Sequence, residues 1–246
     1  MKKKTKRNLI ITFSTIGGVL VILTSTFFIY TGIYYHADKE KIETYLKTKD
    51  VTTSEVANGV IKIKGIEEKA GLIFYPGGKV EYLAYEPICA ALAHQGVTSY
   101  LVHMPFNLAI FGVNKADGIK AYSPEITRWF MAGHSLGGAM GSGYIASHPT
   151  EYEGLILLGA YPYKDLSKTD INLLLMFGSN DLVMNKDKFN SSMPYWPKKT
   201  EQYVIEGGVH SYFGMYGNQE GDGISNITVE EQTEIAASKI IEYYNI

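Results

Sequence analysis

Two kinds of apolar run occur along this sequence of 246 residues. The first is a single uncharged stretch of 22 residues, residues 9–30, which directly follows a basic N-terminus. The others are short runs of about four to eight residues that end at glycine, proline or polar turn residues. Segments with apolar residues at helical spacing lie between the short runs. The chain therefore divides into an N-terminal apolar segment and a body in which strands and helices alternate.

The uncharged stretch is long enough to cross a bilayer. As a helix it would be about 33 Å long, and a bilayer core is about 30 Å thick. A cleaved signal peptide has a shorter apolar region that ends at small residues, but this stretch ends in FFIY. We therefore predict an uncleaved signal anchor at residues 9–30, with the basic residues 1–8 in the cytoplasm. Secretion after cleavage is the alternative.

The segment after the apolar stretch is polar and charged. Residues 31–54 are predicted as a linker, so that a folded domain extends over residues 55–246. With the basic end inside, this domain faces the extracytoplasmic side of a single-pass membrane protein.

The body shows the pattern of a parallel sheet. Its short apolar runs lack strict alternation, which is typical of strands buried on both faces. One run, VANGVIKIKG, alternates with polar residues and is predicted as an edge strand. We therefore predict an α/β fold with a mostly parallel central sheet and helices on both faces. The other strands are GLIFYP, VTSYLVHMP, ITRWFMAGHS, YEGLILLGAYP, DINLLLMFGSND and EQYVIEGG, and the helices are YLAYEPICAALAHQG, LGGAMGSGYIASHP and residues 229–244.

Charge and cysteine content exclude several classes. The formal net charge is −2, and five of the 23 basic residues precede residue 8. Residues 8–246 therefore carry 18 basic and 25 acidic side chains, a net charge of −7, which is unlike a nucleic-acid binder. The single cysteine, Cys89, excludes an intramolecular disulfide and a cysteine-rich zinc site. An HExxH motif and a phosphate loop are also absent from the sequence, so we predict no metal and no cofactor.

A nucleophile motif lies at the junction of a predicted strand and helix. GHSLG contains the pattern G-x-S-x-G with Ser135 at its centre. Flanking glycines allow the tight turn that lifts such a serine above the sheet, and the next helix directs its N-terminal N–H groups at the site. Ser135 is therefore the predicted nucleophile.

A serine nucleophile needs a base, and the chain has six histidines. His210 is the preferred base because it follows the last predicted strand in a glycine-rich loop. His103 also follows a strand and is a second residue that could line the site. The remaining histidines are interpreted as linker, capping or packing residues: His36, His94, His134 and His148.

The base in turn needs an acid that holds its ring in the correct tautomer. Asp181 directly follows a strongly apolar strand and is preferred. Asp165, Asp187 and Glu206 remain alternatives from loops.

Two backbone donors are expected to stabilise an oxyanion. One is the N–H of Leu136, the residue after the nucleophile. The second should come from the loop in FYPGGKV, where the N–H of Gly78 or of Lys79 is the candidate.

These segments together resemble a known family. FYPGGKV, MPFNLAIFG, AGHSLGGAM, LLGAYP, FGSND and EGGVHSYFGMYG are similar to motifs of the α/β-hydrolase superfamily, and more narrowly of its compact, cap-less bacterial branch called α/β hydrolase fold-5. The resemblance extends over about residues 56–246. It implies an eight-stranded core, hydrolysis of an ester or a related bond, and a triad in the order Ser135, Asp181, His210.

The chain also departs from its relatives at two places. Dienelactone-hydrolase-like relatives carry Cys as nucleophile, where this chain has Ser135. Many lipases have HGGG where this chain has YPGG.

The sequence thus predicts a membrane-anchored serine hydrolase acting on a small-molecule ester, a thioester or a lipid-like substrate. Phe106, Phe111 and Tyr212 are expected to line the substrate pocket because they follow a strand end or the base. An acyltransferase with the same triad and a non-catalytic binding module on the same scaffold are the alternatives.

Overall fold

The computed structural model describes the backbone of residues 2–246 and the side chains of Asn8 and residues 11–246. Met1 and the side chains of the basic run, Lys2, Lys3, Lys4, Lys6 and Arg7, lie outside this description. The chain forms two compact units, residues 1–34 and residues 35–246.

The first unit is one long helix, α1 (Lys2–Gly32). Its segment Ile11–Gly32, 22 residues, is long and apolar enough to span a membrane or to be a signal sequence. The Thr12 and Thr15 hydroxyls donate to the carbonyl oxygens four residues earlier, at 3.0 and 2.9 Å. Hydroxyls bonded in this way leave few polar groups unsatisfied in an apolar surrounding.

The second unit is built on an eight-stranded sheet, which confirms the predicted fold class. The strand order is β1-β2-β4-β3-β5-β6-β7-β8, and β3 to β8 are mutually parallel. The strands are β1 (Thr52–Ala57), β2 (Val60–Lys64), β3 (Ala70–Tyr75), β4 (Val97–Val102), β5 (Trp129–His134), β6 (Gly154–Leu158), β7 (Asn172–Gly178) and β8 (Thr200–Ile205).

Helices cover both faces of this sheet. The helices are α2 (Lys39–Leu46), α3 (Glu86–His94), α4 (Leu136–Ser147), α5 (Lys186–Ser192) and α6 (Val229–Tyr244). One apolar core lies between the sheet and α2, α3 and α6, and a second lies between the sheet and α4 and α5. Every residue of β3, β4, β5 and β6 is buried, which explains why these strands read as continuous apolar runs.

The predicted edge strand VANGVIKIKG is a hairpin. Its residues form the end of β1 and all of β2, and the two strands pair antiparallel. The two-residue turn is Asn58-Gly59, with Gly59 at φ +73°. Asn-Gly is a strong hairpin signal, and here the glycine takes the position with positive φ. The strand β1 forms the edge of the sheet, as expected for this segment.

The prediction of a linker at residues 31–54 is corrected by the structure, because most of this segment packs onto the domain. The compact unit begins at Tyr35, which pairs with Val80. Ile42 and Tyr45 lie three residues apart on α2 and are both buried. The Tyr45 hydroxyl and the Lys49 ammonium both bond Glu234 on α6. An amphipathic helix of this kind gains its stability from the face that it buries.

Cys89 lies on α3 and is completely buried. Burial raises the pKa of its thiol, so little reactive thiolate forms near neutral pH. We therefore expect iodoacetamide to leave the native protein unmodified and its activity unchanged, as measured by intact mass and by the rate of ester hydrolysis. Rapid inactivation that substrate prevents would instead place a reactive thiol in the site.

Candidate active site

Ser135 occupies a strained turn between β5 and α4. Its backbone has φ 50° and ψ −120°, a conformation that non-glycine residues rarely adopt. The turn is held in place because the Ser135 N–H donates to Leu158 O at 2.9 Å and its carbonyl oxygen accepts from Ala139 N–H at 3.0 Å. A side chain at Gly137 would clash with the carbonyl oxygens of Tyr75 and Pro76 at the end of β3, so this close approach requires glycine. This is the geometry of a nucleophile elbow.

The structure brings the predicted base and acid together. His210 Nδ1 lies 2.8 Å from Asp181 Oδ2, and both side chains are about 1% exposed. The other carboxylate oxygen, Oδ1, accepts the N–H groups of Val183 and Met184 at 2.9 and 2.8 Å. Since a carboxylate only accepts, the neutral His210 ring carries its proton on Nδ1. The Nε2 atom then has a free lone pair.

Two neighbouring groups hold the loop of the base, and sequence analysis missed both. The carboxylate of Asp222 accepts the N–H groups of His210 and Ser211, at 3.2 and 2.8 Å. Gln232 on α6 bonds both backbone groups of Val209, at 3.0 and 2.8 Å. A polar glutamine on the apolar, buried face of a predicted helix is a sequence signal that could have identified Gln232. Asp222 lies in an irregular loop, where the sequence has no comparable signal.

Ser135 and His210 face the same cavity, of about 450 Å³. No hydrogen bond joins them, because His210 Nε2 has no partner among the residues that the structure describes. Catalytic hydrogen bonds of this kind are often formed only with substrate bound. Most of the wall is apolar or aromatic, and the other lining residues are Leu136, Ala139, Gly159, Ala160, Tyr161, Tyr163, Val183, Met184, Asn185 and Lys188.

The backbone donors predicted for an oxyanion lie beside each other. Leu136 is the first residue of α4, where a backbone N–H has no partner within the helix. A side chain built on Gly78 would lie 2.8 Å from the Leu136 side chain, so the two residues are in close contact. The Lys79 N–H already donates to Asn107 O at 2.8 Å. Of the two candidates in this loop, Gly78 therefore remains.

The three residues predicted to line the substrate pocket lie outside the cavity of Ser135, so this prediction is corrected. Phe106 and Phe111 are about half exposed and pack edge to face, with ring centroids 5.7 Å apart. Tyr212 lines a different cavity, between the loop after β8 and the start of α2. None of the three lines the cavity of Ser135. The apolar wall comes instead from the segments after β6 and β7, which place Tyr161, Tyr163, Val183 and Met184 near the nucleophile.

The alternative site residues do not reach this cavity. His103 is exposed and lies against Tyr82, with ring centroids 4.9 Å apart. The side chains of Asp165, Asp187 and Glu206 are exposed to solvent. His134 is buried beside His210 and is considered below. The remaining histidines bond groups outside the cavity: His36 with Glu81, His94 with the N–H of Asp50 and His148 with Tyr144 O.

No group of three or more histidine, cysteine or acidic side chains in the described part of the chain could hold a metal ion. The arrangement contains residue types that nucleophilic catalysis needs, namely a serine at an elbow, an oriented imidazole and a buried carboxylate, with Leu136 and Gly78 in contact with each other.

Solved structures share this architecture at low sequence identity. A predicted CIB-like hydrolase from Thermoplasma acidophilum has a TM-score of 0.54 and 17% identity, with 78% of this chain and 98% of the other covered. TT1662 from Thermus thermophilus has a TM-score of 0.57 and 14% identity, covering 80% and 99%. Est1E from Butyrivibrio proteoclasticus has a TM-score of 0.55 and 13% identity, covering 80% and 100%. At such identities the likeness shows the fold alone.

A search of curated proteins finds no significant match to this sequence. The sequence profile of the alpha/beta hydrolase family matches residues 71–234, about two thirds of the chain, and this range includes the nucleophile elbow and both of its partner residues. The chain therefore belongs to the alpha/beta hydrolase family.

Proposed function

We propose that this protein is a serine hydrolase that cleaves an ester or thioester through an acyl-enzyme intermediate. One observation carries the proposal: the buried His210–Asp181 pair leaves His210 Nε2 without a partner among the described residues, and His210 lines the cavity that also holds Ser135 at its elbow. Membership of the hydrolase family supports the same conclusion.

Acylation begins when Ser135 Oγ attacks the carbonyl carbon of the substrate. His210 Nε2 accepts the hydroxyl proton as the new C–O bond forms, and the Asp181 carboxylate stabilises the resulting imidazolium. The negative charge on the substrate oxygen is stabilised by the N–H groups of Leu136 and Gly78. When the tetrahedral intermediate collapses, the alcohol or thiol leaves with the proton from His210.

Deacylation repeats these steps with water as the nucleophile. His210 accepts a proton from the water, the acid product leaves, and Ser135 regains its proton. The same residues therefore act in both halves of the reaction.

The cavity walls favour a substrate with an apolar group. Tyr161, Tyr163, Val183 and Met184 surround the space beside the nucleophile. Apolar surface buried on binding contributes about 25 cal/mol per Å², so even a short alkyl or aryl group gains affinity here. We propose small-molecule esters or thioesters and lipid-like molecules as the substrate class.

A fluorophosphonate probe tests the proposed chemistry directly. Such a probe phosphonylates an activated serine, so we expect labelling of the full-length protein at one site, located by mass spectrometry at Ser135. Hydrolysis of an activated ester such as 4-nitrophenyl acetate should be lost in proportion to labelling. A folded protein that neither reacts with the probe nor hydrolyses activated esters would refute the proposal.

We further propose that α1 anchors the hydrolase domain on the extracytoplasmic side of the cell membrane. The segment Ile11–Gly32 is long and apolar enough to span a bilayer, and the basic residues of the chain's start precede it. Basic residues are retained on the cytoplasmic side, which directs the following domain outward.

Protease accessibility measures this orientation. Protease added to protoplasts should remove the hydrolase domain, while a cytoplasmic marker protein remains intact. Cleavage only after lysis would reverse the orientation. A mature N-terminus beyond Tyr30, found by N-terminal sequencing, would replace the anchor with a cleaved signal peptide.

A further inference from the structure

His134 is a buried titratable residue that the proposed reaction does not use. It lies directly before Ser135, and its side chain is about 1% exposed. Its ring packs on the ring of the base His210, with centroids 4.5 Å apart, and on Phe213, at 5.6 Å. On its other side, His134 Nδ1 lies 2.8 Å from the hydroxyl of Tyr85. His134 therefore contacts both the proposed base, His210, and Tyr85, which bonds a second part of the site.

That second part of the site is the turn that follows β3. The Gly77 N–H donates to the Tyr85 hydroxyl oxygen at 3.1 Å. The Tyr85 hydroxyl donates to His134 Nδ1 when the histidine proton is on Nε2, and it accepts from Nδ1 when the proton is there. A hydrogen-bond chain thus runs from Gly77 N–H through the Tyr85 hydroxyl to the His134 ring.

A chain directed from Gly77 through Tyr85 to His134 Nδ1 corresponds to a neutral His134 with its proton on Nε2, an atom that is buried without a hydrogen-bond partner among the described residues. Burial lowers the pKa of His134 well below its usual value, and a positive charge on the neighbouring His210 lowers this pKa further. The ring therefore remains neutral near neutral pH, so that one of its two nitrogens is an acceptor.

Packing leaves the turn little freedom to move. A methyl group at Gly77 would lie 2.5 Å from the Tyr85 hydroxyl oxygen and 2.8 Å from His134 Nδ1. The Gly77 backbone is thus in close contact with both side chains, and it bonds the first of them. The next peptide N–H in the chain is that of Gly78, the oxyanion donor proposed above.

We propose that Tyr85 and His134 are positioning residues, which hold the 76–78 turn so that the Gly78 N–H is placed for the oxyanion. This proposal rests on the proposed hydrolase function. Neither residue reacts with the substrate. Their effect is exerted on the transition state, because an oxyanion donor acts most strongly where negative charge develops.

Removal of the Tyr85 hydroxyl tests the proposal with little change in shape. Tyr85→Phe should lower kcat for an activated ester about tenfold and change KM by less than about twofold, because an interaction specific to the transition state is weakened. Tyr100→Phe is the matched control. Its hydroxyl is also buried and donates to Ser123 Oγ at 2.8 Å, but Ser123 belongs neither to the 76–78 turn nor to the proposed triad. The control should keep kcat within about twofold of the wild type.

Variants of His134 distinguish positioning from simple packing. In His134→Asn the amide oxygen can accept from Tyr85 in place of Nδ1, so most of kcat should be retained. His134→Leu keeps apolar bulk but removes the acceptor, and it should resemble Tyr85→Phe. The double variant Tyr85→Phe/His134→Leu should have a kcat no lower than that of the less active single variant, because both substitutions remove the same hydrogen bond. Additive losses, or equal losses in Tyr85→Phe and Tyr100→Phe, would overturn the proposal.

Nitrogen NMR of the imidazole groups provides a readout that does not depend on activity. In the full-length protein in detergent micelles, His134 should appear as the neutral tautomer with its proton on Nε2 from about pH 6 to pH 8. Tyr85→Phe should convert this signal to a mixture of tautomers, whereas Tyr100→Phe should not. A His134 proton on Nδ1 in the wild type would contradict the hydrogen-bond chain. If instead the wild type shows the expected tautomer but no hydrolysis or probe labelling, the proposed function fails and the hydrogen-bond chain stands.

Discussion

Replacing Ser135 with Ala is expected to abolish fluorophosphonate labelling and to lower the rate of ester hydrolysis by about four orders of magnitude or more. Loss of the nucleophile removes the acyl-enzyme pathway, and in a well-studied serine protease it costs about 10⁶-fold in kcat. The remaining rate reflects only the oxyanion donors and substrate binding. Both losses should therefore occur together, as measured by probe fluorescence and by initial rates on 4-nitrophenyl acetate.

The fold should survive this substitution. Ser135 is held at its positive φ by backbone hydrogen bonds to Leu158 and Ala139, and these bonds do not involve the hydroxyl. Circular dichroism and the melting temperature of Ser135→Ala should therefore match the wild type.

Ser191→Ala is a suitable control, because Ser191 is exposed and its hydroxyl bonds only a local carbonyl oxygen on α5. This control should label and hydrolyse normally. A folded Ser135→Ala protein with wild-type activity would place the nucleophile elsewhere and refute the mechanism.

The second large effect is expected for Asp181→Asn, which should fold and lose at least two orders of magnitude in kcat. Asp181 Oδ1 accepts two backbone N–H groups, from Val183 and Met184, so an asparagine would keep its amide oxygen on that side. Its amide nitrogen would then face His210 Nδ1, where Oδ2 now lies 2.8 Å away. An amide N–H donates, which forces the His210 proton onto Nε2 and leaves no lone pair for the Ser135 proton. The corresponding change in a serine protease costs about 10⁴-fold in kcat.

Asp165→Asn and Asp187→Asn are the matched controls. Both carboxylates are exposed, and Asp165 bonds the nearby Ser167. Exposed carboxylates contribute little to a remote reaction because water screens their charge. We expect both variants to stay within a few-fold of the wild type on the same ester. A strong loss in either control, with a normal Asp181→Asn, would move the acid to that position.

The parallel strands and the helices between them follow from local patterns. Buried parallel strands are apolar on both faces, so β3 to β7 appear as short continuous runs whichever neighbours they later acquire. The helix α6 coincides with its predicted range, 229–244, because it begins at a capping box formed by Thr228 and Glu231. Ser135 is identifiable for the same reason, since an elbow needs its glycines within a few residues of the serine.

Side chains that act across the chain are decided by tertiary structure. The positions of Asp181 and His210 after strands made them candidates, but only the arrangement of β6, β7 and β8 in one sheet places the carboxylate against the imidazole. The pocket was predicted from the aromatic residues nearest in sequence, Phe106, Phe111 and Tyr212. The cavity wall comes instead from the segments after β6 and β7, whose distance from Ser135 depends on the sheet order.

The sequence by itself thus determined the elements, the candidate nucleophile, acid and base, and the apolar N-terminal segment, because each depends on residues close together in the chain. Only the tertiary structure decided that residues 35–54 pack onto the domain, that the Lys79 N–H is already bonded to Asn107, and that the Tyr85 hydroxyl bonds both Gly77 and His134. The physical reason is the range of the interactions. Backbone conformation and amphipathic spacing act over a few residues, whereas hydrogen-bond partners and cavity walls come from segments that the sheet brings together from distant parts of the chain.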